Sequence, residues 1–190
     1  MKIDYTTLDP NIFSQYNDVF YIHDDNISIF QHIKLNLLKM NKNNYYIIHP
    51  GEISKEFEIV EDICNYLSEI KFPRKNSCIV AIGGGVVGDL AGFIAAIYMR
   101  GVDFIQVPTT LLAMVDSSIG GKNGINNKYG KNLIGTIRQP KKIIIDISFL
   151  VTLPKDEFIN GMAEIIKISS TSNQELWNIL CKNNLDSVLT

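Results

Sequence analysis

Short apolar runs alternate along this chain with longer segments that have helical periodicity. The short runs are rich in Ile, Val, Tyr and Phe, which is typical of buried β-strands. They predict strands at 17–22, 45–48, 78–82, 103–107 and 142–146. The longer segments predict helices at 27–40, 54–70 and 86–99, and a further helix that Pro154 opens. Strands that alternate with helices in this way predict an α/β protein with a Rossmann-like parallel sheet.

A glycine-rich turn separates the strand at 78–82 from the helix at 86–99. Gly83, Gly85 and Gly88 fit the pattern G-x-G-x-x-G between a strand and a helix. Such a turn lets backbone N–H groups approach an anion, although a tight turn between two buried elements explains the glycines equally well. The next strand ends in Pro-Thr-Thr, without the acid that usually holds the ribose of a dinucleotide. We therefore expect a phosphate-binding α/β site that differs from an ordinary Rossmann site.

Composition excludes several classes of protein. The chain has 190 residues, 46% of them hydrophobic, and a net charge of −2, which suits one globular domain and gives no sign of a nucleic-acid or acidic-membrane partner. No signal-peptide core and no membrane-spanning run is present. Cys64, Cys78 and Cys181 are far apart in sequence. We expect reduced, mostly buried thiols in a cytoplasmic protein.

Polar residues follow the carboxyl ends of the first two predicted strands, where open α/β sheets bind ligands. The turn 23–26 follows the first strand, and Glu52 and Lys55 follow the second. Glu52 and Lys55 could equally form a local i,i+3 charge pair. His23 lies beside two aspartates and is expected to be solvated. Ser54 is the predicted N-cap of the helix at 54–70.

Charged side chains are also concentrated in the glycine-rich segment 106–136. Lys122 and Lys131 are expected on loops near Asp116, an arrangement that suits an anionic, hydroxylated substrate. Lysines on such loops are otherwise often only exposed to solvent. Further along, Glu164 and Lys167 fall on the polar side of the last predicted helix, and periodicity alone indicates a solvated i,i+3 pair.

Five motifs closely resemble 3-dehydroquinate synthase. They occupy 83–93, 98–101, 106–122, 130–135 and 161–167, and the resemblance is collinear from about residue 24 to residue 167. It implies a lyase of the shikimate pathway, which leads to chorismate and the aromatic amino acids. That enzyme uses NAD and zinc, or another divalent metal such as Co²⁺, to convert 3-deoxy-arabino-heptulosonate 7-phosphate into 3-dehydroquinate and phosphate. NAD oxidises a ring hydroxyl by taking a hydride from the carbon that carries it and later returns that hydride, phosphate leaves by elimination, and zinc acts as Lewis acid. The family also forms the first domain of fused shikimate-pathway proteins.

The resemblance assigns roles to individual residues. Those that would contact NAD are Asp24, Asn26, Glu52, Lys55, Gly83, Gly84, Gly85, Val86, Asp89, Thr109, Thr110, Phe149 and Thr152. Those that match the substrate pocket are Asp116, Lys122, Lys131, Asn132 and Lys167. Arg100 matches an arginine that reaches the substrate phosphate of the neighbouring subunit in a homodimer. Glu164 matches one of three ligands of the catalytic metal.

The sequence departs from that family in its metal ligands. Two zinc-binding histidines of the family belong to a carboxyl-terminal helical domain, whereas the histidines here are His23, His32 and His49. We expect residues 1–153 to form the NAD-binding domain and 154–190 to begin a truncated helical metal and substrate domain. The other half would then be a separate or fused polypeptide, and the isolated chain would be inactive. A related sugar-phosphate cyclase, a polyol dehydrogenase and an inactive NAD-binding or dimerisation module are the alternatives.

Overall fold

A six-stranded parallel sheet forms the centre of the molecule. The computed structural model describes residues 1–27 and 44–182. Its strands are β1 (Lys2–Tyr5), β2 (Asp18–Asp24), β3 (Tyr45–Ile48), β4 (Ser77–Gly83), β5 (Asp103–Pro108), β6 (Lys122–Asn127), β7 (Gly130–Ile137) and β8 (Lys142–Ile145). The order in the sheet is β1-β8-β5-β4-β2-β3, with all neighbours parallel. The predicted α/β fold with a Rossmann-like parallel sheet is confirmed.

Helices flank this sheet and continue beyond its last strand. They are α1 (Phe57–Glu69), α2 (Gly85–Ile97), α3 (Lys155–Ser172) and α4 (Gln174–Lys182). Shorter helical turns are formed by Pro10–Phe13, Glu52–Ser54, Tyr98–Arg100, Ala113–Ser117 and Ile147–Thr152. The predicted helix at 27–40 lies outside the described residues apart from Ile27. None of the described helices is both long and apolar enough to cross a membrane.

Two hydrophobic clusters lie on opposite faces of the sheet. Every residue of β4 is buried, as expected for a parallel strand that is covered on both faces. Ile79 and Ala81 point into the cluster that Ile63 of α1 and Leu90 of α2 complete. The alternate residues of β4 join the second cluster, which includes Phe149. The apolar run that predicted β4 therefore reflects packing on both sides.

The structure corrects two predictions about the segment 106–136. Lys122 and Lys131, expected on loops, lie in β6 and β7. These strands pair antiparallel in a separate two-stranded hairpin. Gly124 and Gly135 allow the two strands to approach, because a Cβ at Gly124 would lie 3.0 Å from the carbonyl oxygen of Ile134.

β1 was not predicted from the sequence at all.

Three predictions about local structure are also wrong. Ser54 is not a helix N-cap: α1 begins at Phe57, and the Ser54 hydroxyl donates to the carbonyl oxygen of His49 at 2.6 Å. His23 is 2% exposed rather than solvated, since it belongs to β2 and its ring stacks on Tyr45. The helix predicted to reach Met99 ends at Ile97.

The thiols agree with expectation only in part. All three cysteines are free, but Cys64 is half-buried, Cys78 buried and Cys181 exposed.

Helix α3 contacts the rest of the chain over a small area. Gly161 and Ser169 are its only buried residues, and the nine residues of α4 include none. A Cβ at Gly161 would lie 2.5 Å from the Cβ of Leu111. The absence of that atom allows α3 to approach the turn that follows β5.

Candidate cofactor and substrate site

The glycine turn joins the carboxyl end of β4 to the first turn of α2. Gly84 occupies the N-cap position, and α2 begins at Gly85. The backbone N–H of Thr109 donates to the carbonyl oxygen of Gly83 at 3.0 Å. A Cβ at Gly84 would lie 3.1 Å from the side chain of Thr110. The structure thus brings predicted cofactor residues from two parts of the chain together, next to the helix end that favours anions.

A polar pocket that the sequence did not suggest lies beneath this turn. Gln106, Ser117 and Ser118 line it together with the turn glycines. Their side-chain oxygens are buried and have no hydrogen-bond partner among the described residues. A Cβ at Gly85 would lie 3.1 Å from the Ser117 hydroxyl, and one at Gly88 would lie 3.2 Å from the Gln106 amide nitrogen. These glycines therefore make room for protein side chains as well as for a ligand. The sequence feature that could have indicated this pocket is Gln106, a glutamine inside an apolar strand.

Lys55 pairs with Asp89 of α2 rather than with Glu52. Its ammonium lies 2.6 Å from Asp89 Oδ2 and 2.6 Å from Asn132 Oδ1. The Lys55 side chain is only 3% exposed. Burial raises the pKa of the Asp89 carboxyl above its ordinary value, while the hydrogen bond and charge of Lys55 act in the opposite direction. The local i,i+3 alternative is therefore wrong, and Lys55 instead joins α2 to the hairpin.

Glu52 contacts the hairpin as well. Its carboxylate accepts from Asn126 Nδ2 at 2.7 Å and lies 4.0 Å from the Lys131 ammonium. Asn126 in turn accepts from the backbone N–H of Asn132 at 2.9 Å. Asn126 was not predicted as a site residue, since an asparagine near a predicted loop is unremarkable.

A cleft of about 400 Å³ lies between α2 and the hairpin. Its lining residues are Asp89, Lys122, Asn123, Gly124, Asn132, Gly135, Thr136 and Ile137. Three of them were predicted from the sequence, Asp89 for the cofactor and Lys122 and Asn132 for the substrate. The volume falls within the usual range of small-molecule sites, and the polar groups include one cation, one anion and amides.

Glu164 and Lys167 form the expected i,i+3 pair on α3. The Lys167 ammonium lies 2.5 Å from Glu164 Oε1, and its side chain is 66% exposed. The hydrogen bond that Lys167 donates to Glu164 raises the pKa of Lys167, and the charges of Glu164 and Asp116 act in the same direction. Asp116 is therefore close enough to influence Lys167. Among residues 1–27 and 44–182, no three His, Cys, Asp or Glu side chains are placed to hold a metal ion.

The remaining predicted residues lie elsewhere along the sheet. Asp24 ends β2, and its carboxylate accepts from the N–H of Asn26 at 3.1 Å. Burial raises the pKa of Asp24. Phe149 is 1% exposed within the second cluster, and Thr152 ends the same short helical turn. Arg100 is exposed, with φ +64, in the turn after α2.

Comparison with known families agrees with this arrangement. Residues 45–160 match the model of the 3-dehydroquinate synthase N-terminal domain. The chain belongs to the 3-dehydroquinate synthase family.

Solved structures similar to this family member include two sugar-phosphate cyclases. A 2-deoxy-scyllo-inosose synthase, solved with carbaglucose-6-phosphate, NAD⁺ and Co²⁺, is 26% identical with a TM-score of 0.75. The alignment covers 87% of this chain and 48% of that one. A 2-epi-5-epi-valiolone synthase from Streptomyces hygroscopicus, with NAD⁺ and Zn²⁺ bound, is 27% identical with a TM-score of 0.76. That alignment covers 95% of this chain and 53% of the synthase.

A more distant structure shares the fold alone. The sulfoacetaldehyde reductase of Bifidobacterium kashiwanohense is 13% identical with a TM-score of 0.67, over 87% of this chain and 50% of the reductase. This member of the 3-dehydroquinate synthase family therefore spans about half the length of the solved proteins that it matches.

Proposed function

We propose that this chain provides the nucleotide-binding part of an NAD-dependent sugar-phosphate cyclase. The reaction is the conversion of 3-deoxy-arabino-heptulosonate 7-phosphate into 3-dehydroquinate and phosphate. The observation that carries the proposal is a glycine turn at the start of α2, the helix whose Asp89 lines a cleft of about 400 Å³ together with Lys122 and Asn132. A cation and amide groups suit a substrate that carries both phosphate and hydroxyl groups.

The described residues fit a dinucleotide. A Cβ at Gly84 or Gly85 would lie 3.1 Å from a neighbouring side chain, so glycine allows the backbone to pack closely at the start of α2. Backbone N–H groups there would bind the pyrophosphate. The Asp89 carboxylate would accept a hydrogen bond from a ribose hydroxyl, and Lys55 would orient that carboxylate. When bound, NAD supplies a reversible hydride acceptor. The two cyclase structures with bound NAD⁺ support this assignment.

The substrate would lie in the cleft between α2 and the hairpin. Lys122 would attract the phosphate, because an ammonium stabilises negative charge that develops as the phosphate C–O bond breaks. Asn132 would bind a hydroxyl group, and Lys131 is a second cation on the same hairpin. Asp116 and Lys167 would contact the substrate from the side opposite the hairpin. The influence of Asp116 on the Lys167 pKa accords with this arrangement.

A divalent metal does not fit the described residues by themselves. A catalytic zinc normally has three protein ligands, and Glu164 is the only matched candidate in the described part of the chain. Its carboxylate is engaged by Lys167 at 2.5 Å. We therefore assign no step to a metal here. If Glu164 binds one, as Co²⁺ and Zn²⁺ are bound in the two cyclase structures, further ligands must come from outside the described residues.

Calorimetric titration of the chain with NAD tests the cofactor assignment. We expect saturable binding that Gly85→Val abolishes, since a side chain there would crowd Ser117, 3.1 Å from the added Cβ, and displace the backbone at the start of α2. Lys128→Met, on the exposed tip of the hairpin, is the control and should bind as the unmodified chain does. A folded chain that does not bind NAD would contradict the proposal.

Phosphate release tests the reaction itself. The chain would be assayed with NAD and zinc, alone and together with a carboxyl-terminal half from a family member that carries the histidines. We expect release from the heptulosonate phosphate only with both halves present, and its loss in Lys122→Ala. Release from a hexose 6-phosphate instead would identify a related cyclase. NAD binding without phosphate release from either substrate would favour an inactive binding module. The presence of one matched metal ligand among the described residues supports that alternative.

We also propose a homodimer whose two sites each use Arg100 from the other subunit. Arg100 is exposed beside Met99 and Ile97, which are 51% and 41% exposed. In the reconstituted enzyme, mixing Arg100→Ala with Lys122→Ala should recover part of the activity, because one site of the mixed dimer would be intact. No recovery would contradict the shared site.

A further inference from the structure

Lys55 contacts both walls of the cleft through one buried ammonium group. It precedes α1, whereas its two acceptors lie on α2 and β7. The distances from Nζ to Asp89 Oδ2 and to Asn132 Oδ1 are both 2.6 Å. In addition, the Lys55 carbonyl oxygen accepts from the backbone N–H of Asn126 at 2.6 Å. Lys55 is thus bonded to the hairpin by its backbone and by its side chain.

Asn132 depends on these bonds for its conformation. Its φ is +56°, in the left-handed region that few residues other than glycine adopt. Its backbone N–H donates to Asn126 Oδ1 at 2.9 Å, and Asn126 Nδ2 donates to Glu52 Oε2 at 2.7 Å. The side chain of Asn132 is oriented by the Lys55 ammonium. A continuous set of bonds therefore runs from Asp89 through Lys55, Asn132 and Asn126 to Glu52.

We propose that Lys55 is a positioning residue that couples the cofactor side of the cleft to the substrate side. The inference rests on the proposed function, which assigns Asp89 to the cofactor and Asn132 to the substrate. With 3% of its side chain exposed, the ammonium cannot replace a lost acceptor with bulk water. The hydrogen bond to one acceptor therefore fixes the position of the ammonium and so affects the strength of its hydrogen bond to the other acceptor. A cofactor hydroxyl that binds Asp89 and a substrate hydroxyl that binds Asn132 both act on this one cation.

The coupling can be measured with NAD alone. Asn132 lies on the substrate wall, so an effect of its side chain on NAD affinity must be transmitted. Asn132→Gly removes the side chain and tolerates the positive φ. We expect this variant to weaken NAD binding by about fivefold in the unmodified background, a factor typical of coupled sites. In the Lys55→Met background the same substitution should change the dissociation constant by less than about twofold.

Controls separate this coupling from a loss of folding. Lys128→Met removes an equal charge from the hairpin tip and should leave the fivefold effect of Asn132→Gly intact. Thermal unfolding confirms that each variant is folded, and Asn132→Ser replaces Asn132→Gly if the glycine variant is not. An equal effect of the Asn132 substitution in both backgrounds, or none in either, would overturn the coupling alone. An unmodified chain that is folded but does not bind NAD would overturn the proposed function and the coupling with it.

Discussion

Two lysine–carboxylate pairs are formed by residues that were predicted for the site, and they differ in burial rather than in the distance between ammonium and carboxylate. Lys55 and Asp89 are 2.6 Å apart with side chains 3% and 22% exposed. Lys167 and Glu164 are 2.5 Å apart with side chains 66% and 16% exposed. The first pair joins separate elements and connects to the hairpin, whereas the second lies within one turn of α3. Interatomic distance therefore says little about what each pair contributes, because water replaces the partners of an exposed cation and not those of a buried one.

The surroundings of the two pairs differ in the same way. Lys55 and Asp89 lie beside a sheet whose strand β4 is buried throughout. Helix α3 buries only Gly161 and Ser169. Side chains at the carboxyl edge of the sheet are consequently oriented by packing and by bonds between elements. Those on α3 are oriented mainly by the geometry of the helix.

Removal of the carboxylate should lower stability far more in the buried pair than in the exposed pair. We expect Asp89→Ala to lower the free energy of unfolding by about 3 kcal/mol, because it leaves the Lys55 ammonium buried with an amide as its acceptor. Glu164→Ala is the matched substitution and should leave the urea midpoint nearly unchanged, since the Lys167 ammonium remains in water. Equal losses of stability in the two variants would show that burial does not distinguish the pairs.

The contact between the two regions can be tested at Gly161. A Cβ there would lie 2.5 Å from Leu111 Cβ and 2.7 Å from the backbone nitrogen of Leu112. Overpacking of this kind costs about 1–3 kcal/mol, while alanine in a helix gains about 1 kcal/mol over glycine. We expect Gly161→Ala to lower the free energy of unfolding by about 1 kcal/mol on balance.

Ser170→Ala, exposed on the same helix, is the control for that measurement. It should change the urea midpoint much less than Gly161→Ala does. A rise in stability for Gly161→Ala would mean that helix propensity dominates and that α3 is not held against the Leu111 turn.

The same contrast explains which features the sequence could predict. Strand β4 and helix α2 were predictable because a buried strand and a buried helix leave continuous apolar runs. The β6–β7 hairpin was not, since β7 has no buried residue and its run of exposed residues at 131–133 interrupts the alternation that would indicate a strand. Gly124 and Gly135 also made it resemble a loop.

The burial of Lys55 was unpredictable for a different reason. Its partners Asp89 and Asn132 are 34 and 77 positions away in sequence, whereas periodicity reports only on neighbours within a helical turn or a strand. Lys167 and Glu164 are three positions apart, and their pairing was predictable. The resemblance to the family selected Lys55 and Asp89 as site residues without indicating that they contact each other.

The buried pair should also make the stability of the chain depend on pH in the acid range. Burial raises the pKa of Asp89 in the folded state above its ordinary 3.8, in spite of Lys55. The folded chain then binds this proton more tightly than the unfolded chain does. The contribution of Asp89 to the free energy of unfolding should therefore rise as the pH falls through the folded-state pKa, and level off below the unfolded-state pKa.

Urea midpoints measured across the acid range for the unmodified chain and Asp89→Asn would test this sign. The unmodified chain should gain stability relative to the variant as the pH falls. A relative loss would mean that the attraction of Lys55 outweighs the cost of burial.

The exposed pair should respond only at alkaline pH and with the smallest effect. The hydrogen bond that Lys167 donates to Glu164, together with the charges of Glu164 and Asp116, raises the pKa of Lys167 above its ordinary 10.5, while partial desolvation opposes the shift. A lysine whose pKa is raised on folding contributes stability that is fully present below its unfolded-state pKa and is lost as the pH rises through the folded-state pKa. Glu164→Gln should lower the Lys167 pKa, and Asp116→Asn should lower it less. Titration of the lysine side-chain NMR signals would measure both shifts, with the other lysines as internal references. An unchanged Lys167 titration in Glu164→Gln would show that the pair does not form in solution, and that the Glu164 carboxylate is available to a metal without displacing Lys167.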